Sequence, residues 1–240
     1  GKLLNVRDAS PKQLLENEEI KNIKQIVGLQ QGKVYNSTSS LRYGSILLLT
    51  DQDVDGYHIK GLLINFLHCF WPSLVKLNTF IHALATPIVK VSKGKKVNTF
   101  YNLNDYEIWK EKNLSGWNIK YYKGLGTSDS KEAKEYFTDI ESKLINYTWE
   151  NQLIESETET ETETDVDPDS SSESTSHKKK SIFEAESEND PTSQAIKLAF
   201  EKNQSDKRKV WLLNYDKNET LDANKKIVPI PEFIHKELKH

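Results

Sequence analysis

The sequence predicts an α/β fold: a parallel sheet flanked by helices, interrupted by an acidic low-complexity insertion and closed by a short helical C-terminal segment. Three observations carry this. Ile46-Leu47-Leu48-Leu49 is a short apolar run of strand character that leads through an acidic loop into an amphipathic stretch, Tyr57 to Phe70, the strand–loop–helix order of α/β units. Helix-start and hairpin signals recur on both sides of that stretch. Residues 155–192 lose almost all apolar periodicity, as expected of chain that cannot bury enough surface to fold.

Taken in order, Gly1 to Arg7 reads as a strand carrying Lys2, Asn5 and Arg7. Ser10-Pro11-Lys12-Gln13 is a helix start, with Ser as N-cap, Pro at the first helical position and Gln three residues after the cap. Leu14, Leu15, Ile20, Ile23, Ile26 and Val27 mark its buried side, and Gly28 is its stop. Asn36 to Ser40 is a polar loop leading to the central strand. In the helix after the acidic loop, Ile59, Leu62, Leu63, Phe66, Leu67 and Phe70 share one face, and Pro72 closes it. Phe80 to Ser92 is β-prone, Lys93-Gly94 a turn, and Val97 to Tyr101 a returning strand. Asn104 or Asp105 can cap a short helix through Trp109, Trp117 to Tyr122 is a further strand, and a helix is expected from about Asp129 to Tyr147. Order returns with Ala195 to Phe200, followed by a helix over Asp206 to Leu213 whose Trp211, Leu212 and Leu213 are expected to bury the side opposite its basic start.

Composition bounds the function. There is no apolar run long enough to span a membrane and no signal peptide. The lone Cys69 excludes a disulfide framework and reads as a buried core thiol in a reducing compartment. The sequence contains no methionine, which suggests an internal fragment of a longer chain. The net charge of −3 hides a split: residues 155–176 hold nine acidic and no basic side chains, so the rest of the chain is net positive. A basic body fits a nucleic-acid partner.

Asp51, Asp53 and Asp55 occupy alternate positions in the loop. On an extended segment such positions share a side, where three carboxylates repel one another unless a cation lies between them. Hard oxygen donors with no adjacent thiol or imidazole pair favour Mg²⁺ over zinc. A solvated acidic loop is the plain alternative. An EF-hand is not: its twelfth position would be Leu62, where a bidentate Glu is required, and the loop is entered from a strand.

Thr50-Asp51-Gln52-Asp53-Val54-Asp55-Gly56-Tyr57-His58-Ile59-Lys60-Gly61 resembles the TOPRIM metal motif of type IIA DNA topoisomerases, closer to the eukaryotic topoisomerase II branch than to the bacterial enzymes. Gly1 to Arg7, Ser40 to Gly44, Thr86 to Val91, Tyr121 to Ser128 and Ile230 to Leu238 extend the resemblance; Tyr57, where the family usually has serine, departs from it. The resemblance implies a Rossmann-like TOPRIM domain over 1–150, an insertion or linker over 151–192, and a helical segment over 193–240 leading towards a DNA-gate domain. It implies a metal site at Asp51, Asp53 and Asp55 taking Mg²⁺, with Mn²⁺ or Ca²⁺ able to substitute, and His58 close by. It also implies contacts from Lys2, Asn5, Lys123, Arg208 and Lys209 to the DNA backbone. The whole enzyme of that family is a nuclear homodimer that uses ATP to pass one duplex through a transient double-strand break in another. The attacking tyrosine, the ATPase domain and a metal-binding glutamate would lie outside this sequence, so the fragment alone is expected to be inactive.

Other readings stay open. A TOPRIM nuclease or primase shares the acidic motif, although the stretches Lys123 to Ser128 and Ile230 to Leu238 speak against it. A non-catalytic, cation-dependent interaction module would use the acidic tract instead. Lys123-Gly124-Leu125-Gly126-Thr127-Ser128 before a helix can be turn chemistry or a phosphate cradle. Lys207, Arg208 and Lys209 can be a solvated face or phosphate contacts. The Ser and Thr residues among the acids of 155–192 are an inert surface loop or a kinase target, and Lys178 to Lys180 are weak support for nuclear import.

Overall fold

A computed structural model describes residues 2–113, 115–122, 124–150, 190–216, 219–222 and 225–239. The expected insertion falls almost wholly outside these residues, as does Lys123.

The first helical region is two helices. Ser10 and Gln13 form the expected reciprocal cap, and helix α1 runs Pro11–Glu16. Asn17 ends it and caps the next, α2 (Glu18–Val27), by accepting from the Ile20 N–H, and Gly28 closes α2. A residue that stops one helix and starts another divides what apolar spacing alone reads as continuous. Residues 2–7 form no strand.

Strand β1 (Ile46–Leu48) leads through the acidic loop into α3 (Val54–Phe70), the longest helix described. From Lys60 to His68 every residue of α3 is buried. The helix is therefore covered on all sides, the burial expected of a central helix and not of a surface one. Cys69 corrects the sequence reading: it is free and exposed. It follows the buried run, on the turn where α3 emerges.

After α4 (Pro72–Val75) come β2 (Ile81–Leu84), β3 (Val89–Lys93), β4 (Lys96–Phe100), α5 (Leu103–Lys112), β5 (Asn118–Tyr121) and α6 (Ser130–Phe137). The helix expected to continue to Tyr147 stops ten residues earlier. Asp139 takes a left-handed backbone, φ 53°, a 3₁₀ turn follows, and Leu144–Thr148 is strand β6. Beyond the insertion lie α7 (Pro191–Phe200), α8 (Ser205–Leu213), β7 (Ile227–Pro229) and α9 (Ile230–Phe233), which runs on into a wide turn over Ile234–Leu238.

The α/β class stands, with a mixed sheet in place of a parallel one. Its order is β1-β2-β6-β7: β1 and β2 are parallel (Leu47 opposite His82), β2 and β6 antiparallel (Ala83 opposite Ile145), β6 and β7 parallel (Tyr147 opposite Val228). A second, antiparallel sheet has the order β4-β3-β5 and its own small core of Val89, Val91 and Tyr106, with Phe100, Trp109 and Trp117 packed on it.

The main core draws on Val6 to Ala83, on Tyr147 and Trp149, and on Ala195 to Ile234. Chain on both sides of the insertion thus fills one interior. The two ends also meet directly: the Glu150 N–H donates to Thr192 Oγ1 at 2.8 Å. A polar chain runs across the same seam. Arg7 Nη2 lies 2.9 Å from His68 Nδ1, His68 Nε2 lies 3.0 Å from Ser193 Oγ, and Ser193 Oγ donates to Asp190 Oδ2 at 2.9 Å. A guanidinium can only donate, so Nδ1 accepts, Nε2 carries the proton and donates to Ser193, and every bond points towards Asp190. Asp190 also caps α7 by accepting from the Ser193 N–H. The C-terminal segment therefore begins at Asp190, not after residue 192.

Candidate functional site

The acidic loop lies between the end of β1 and the first turn of α3. Asp53 is the N-cap of α3, with φ −138° and ψ 177°; its Oδ1 accepts from the Gly56 N–H at 2.8 Å, and its other oxygen makes no hydrogen bond among the described residues. Because the helix begins at Val54, the extended segment ends at Asp53. Asp55 is already helical and turns away to pair with Lys2 at 2.7 Å. That ammonium, by hydrogen bond and charge, holds the Asp55 carboxyl below its ordinary range. The three carboxylates therefore do not converge as expected, and among the described residues no group of three or more His, Cys, Asp or Glu side chains gathers into a metal cluster.

Two glycines enclose Asp51. A Cβ on Gly56 would fall 1.9 Å from the Asp51 carbonyl oxygen, so the first turn of α3 can only close over the loop where no side chain intervenes. Gly124 approaches from the other side at φ 154°, and a Cβ there would meet Asp51 Oδ2 at 2.6 Å. The backbone of the Gly-Leu-Gly turn thus lies against the Asp51 carboxylate. Asp51 and the uncommitted oxygen of Asp53 offer hard donors with no sulfur beside them. This set fits Mg²⁺, which takes one or two carboxylates and keeps several waters. Asp55 joins such a set only by releasing Lys2.

Glu132 on α6 fixes the glycine turn. It accepts from Lys120 Nζ at 2.7 Å, from the Tyr122 hydroxyl at 2.5 Å and from the Asp129 N–H at 2.9 Å. Burial alone would raise its carboxyl, but these donors outweigh it and bring the pKa down to about 2. Ser128 Oγ lies 2.5 Å from the Tyr136 hydroxyl and pins the far end of the turn. The phosphate cradle expected at the start of α6 is not open: Asp129 Oδ1 already takes the N–H groups of Lys131 and Glu132. What the turn offers the site is its close approach to Asp51.

Two of the residues expected to meet DNA, Asn5 and Arg208, reach the C-terminal end of α7. Asn5 faces inward: its Nδ2 donates to the Phe200 carbonyl at 2.8 Å, and its Oδ1 accepts from Asn65 Nδ2 at 3.0 Å. Arg208 Nη1 donates to the carbonyls of Leu198, Ala199 and Glu201 at 2.9, 3.0 and 3.2 Å. It satisfies carbonyls that a helix end leaves open and adds a favourable charge there. Lys209 stands outward and, among the described residues, pairs only with the exposed Asp206. The burial expected on the reverse face of α8 is confined to Trp211, which packs on the main core and hydrogen-bonds to His235; Leu213 is 83% and Leu212 47% exposed. His58 stacks parallel to Phe200 at 6.3 Å and makes no hydrogen bond among the described residues; burial and then Lys2 lower its pKa. Asn5, His58 and Arg208 thus converge on residues 198–201, beside the Lys2–Asp55 pair.

Sequence reasoning passed over Lys60. On α3 it is 1% exposed, one of the largest fully buried side chains described. Its Nζ donates to Gln52 Oε1 at 3.4 Å and lies 5.1 Å from the centre of the Tyr57 ring. The available signal was a lysine inside an apolar helical run, between Ile59 and Gly61-Leu62-Leu63.

The model of a family described as the C-terminal associated domain of TOPRIM matches residues 84–162 and 158–240. The chain belongs to that family. The TOPRIM-associated match starts at the last residue of β2, so the acidic loop lies upstream of it. Relatives named DNA topoisomerase 2 or 2-alpha align over nearly the full chain. DNA topoisomerase 2 of Acanthamoeba polyphaga mimivirus is 49% identical, with 99% of this chain and 20% of the relative aligned. DNA topoisomerase 2 of Pisum sativum is 40% identical over 99% of this chain and 14% of its own length. DNA topoisomerase 2-alpha of Homo sapiens is 44% identical over 97% and 13%. The chain therefore spans a fifth or less of the length of these curated relatives. Among solved structures, the DNA-binding, cleavage and re-ligation domain of Plasmodium falciparum topoisomerase II superposes with a TM-score of 0.80 at 42% identity, covering 99% of this chain and 28% of that one. The resemblance to topoisomerase II noted in the sequence is borne out.

Proposed function

We propose that this chain is the metal-bearing part of an ATP-dependent type II DNA topoisomerase, which opens a transient double-strand break and passes a second duplex through it. The observation that supports this most is the enclosure of Asp51 between Gly56 and Gly124, which joins the acidic loop to the glycine turn at one point. In this reading Asp51 and Asp53 hold Mg²⁺, for which Mn²⁺ or Ca²⁺ can substitute in binding. When bound, the metal offsets charge on the attacked phosphate and on the leaving 3′ oxygen. The attacking tyrosine comes from outside this chain; its oxygen forms the new bond to phosphorus as the bond to the 3′ oxygen breaks.

This chain's own residues hold and place. Gly56 and Gly124 give the Asp51 carboxylate its position, and Glu132 keeps the glycine turn against it. Lys2 and Lys209 are the exposed cations on the backbone-facing side, and Lys123 is a further one by sequence. Arg208 and Asn5 contribute by shaping the end of α7 and reach phosphate only by giving up present bonds. Phosphate contacts of this kind set the register of a duplex without reading its bases. The same reading makes the whole protein a nuclear homodimer that binds ATP, with residues 1–150 as the TOPRIM domain, the stretch up to residue 189 as the insertion and the segment from Asp190 leading to the DNA gate.

The test is cleavage in the full-length protein. Asp51→Asn and Asp53→Asn should each reduce metal-dependent DNA cleavage by at least about 100-fold, the scale of losing a group that stabilises transition-state charge. Metal-free DNA binding should stay near wild type. Unimpaired cleavage in Asp51→Asn would remove the assignment.

A further inference from the structure

Burying an ammonium is expensive unless it is well paired, and Lys60 is not. Among the described residues its single hydrogen bond is the 3.4 Å contact to Gln52 Oε1. Its other neighbour is the face of Tyr57. The carboxylates whose charge reaches it are Asp53, from the loop, and Glu237, from the turn after α9. The Tyr147 hydroxyl is buried in the same region with no hydrogen-bond partner among the described residues, and it too feels Glu237 and Tyr57. An apolar side chain of similar volume would be the more stable filling, so stability does not account for Lys60.

Its one polar contact does. Gln52 is the residue between the two carboxylates. Gln52 and Asp53 form a bend; Gln52 is half-buried, as is Asp51, while Asp53 is exposed. We propose that Lys60 is a positioning residue: it holds Gln52 inward and so fixes the bend that sets Asp51 and Asp53 relative to one another. The inference rests on the metal-site reading above. Gln52 is the brace, and Lys60 is the anchor that ties it to α3.

Positioning and plain electrostatics predict opposite signs. If the Lys60 charge acted only through space, removing it would tighten cation binding. If it positions, removing it weakens binding. Gln52→Ala keeps the charge and removes only the brace. The probe is Mn²⁺, titrated calorimetrically and by electron paramagnetic resonance into the nucleotide-free, full-length protein, with Asp51→Ala as the control. Wild type should bind Mn²⁺ in an Asp51-dependent manner. Gln52→Ala should bind about 10- to 100-fold more weakly, the usual loss when a group that orients a ligand is removed. Lys60→Met should weaken binding likewise where it folds, and Lys60→Arg should restore part of it. An unchanged Kd in Gln52→Ala overturns the brace whatever Lys60→Met does, and so does tighter binding in a folded Lys60→Met. A wild type whose Mn²⁺ binding ignores Asp51→Ala instead overturns the metal-site reading itself.

Discussion

Half-buried Glu132 and buried His68 are two titratable groups that both resist protonation in the fold. The Glu132 carboxylate falls from an ordinary 4.5 to about 2. Between those values the unfolded chain takes up a proton that the folded chain refuses, so the stability it contributes is complete above pH 4.5 and lost as pH falls towards 2. His68 is depressed from 6.5 to about 3, by burial first and then by Arg7. Its neutral ring therefore supports the fold fully above pH 6.5 and less with each step down towards 3. The melting temperature should begin to fall below pH 6.5, well before carboxylates titrate. His68→Gln, which cannot take a proton, should flatten the part of the curve between pH 6.5 and 4.5 while shifting it downward. A scan of melting temperature against pH in both proteins checks this; parallel curves would show that His68 does not control that window.

At the scale of elements, α8 separates two roles that the run Lys207-Arg208-Lys209 makes look alike. Arg208 fastens three carbonyls at the end of α7, whereas Lys209 stands free of the core. Arg208→Ala should destabilise the fold by about 1–3 kcal/mol, the usual cost of leaving buried acceptors without their charged donor. Lys209→Ala should leave the melting temperature unchanged and make the slope of log K against log salt for duplex DNA shallower by about one unit. Equal thermal effects in the two variants would contradict this division. The same contrast explains what the sequence could reveal. Caps are local, so Ser10-Pro11-Gln13 and the Lys93-Gly94 hairpin were legible. Strand β6 was not, because its partners β2 and β7 lie some 60 and 80 residues away in the chain, and no window of neighbouring residues contains that pairing. The bonds that Arg208 makes here were not legible for the same reason: its partners belong to another helix. Lys60 was missed because a lysine on a helix is ordinarily solvated. The acidic loop was legible in its residue types but not in its geometry, since one N-cap at Asp53 decides which carboxylates face together.

At the scale of the whole molecule, the core is assembled from chain before and after residues 151–189, joined where Glu150 meets Thr192. Entry and exit points in hydrogen-bond contact need only a short connection, and lengthening or shortening such a connection changes closure entropy slowly. Replacing 151–189 by a short Gly-Ser linker should therefore move the melting temperature by less than about 4 °C, near 1 kcal/mol for a small domain. A larger fall in calorimetry would mean that the replaced stretch packs on the fold.

The one-way chain of hydrogen bonds from Arg7 through His68 and Ser193 to Asp190 has a consequence for a chain that has been cut. Its His68–Ser193 bond joins the two sides of the seam, as do the bonds from Glu150 to Thr192 and from Asn5 to the Phe200 carbonyl, and none depends on the peptide backbone being continuous between them. A protease that cleaves within 151–189 would sever the polypeptide without releasing either part. The two pieces would travel together through a sizing column and separate only in denaturant, and if expressed from two genes they would find one another. Residues 2–150 and 190–239 would then be subunits, and what is now the interior of one fold would be their interface.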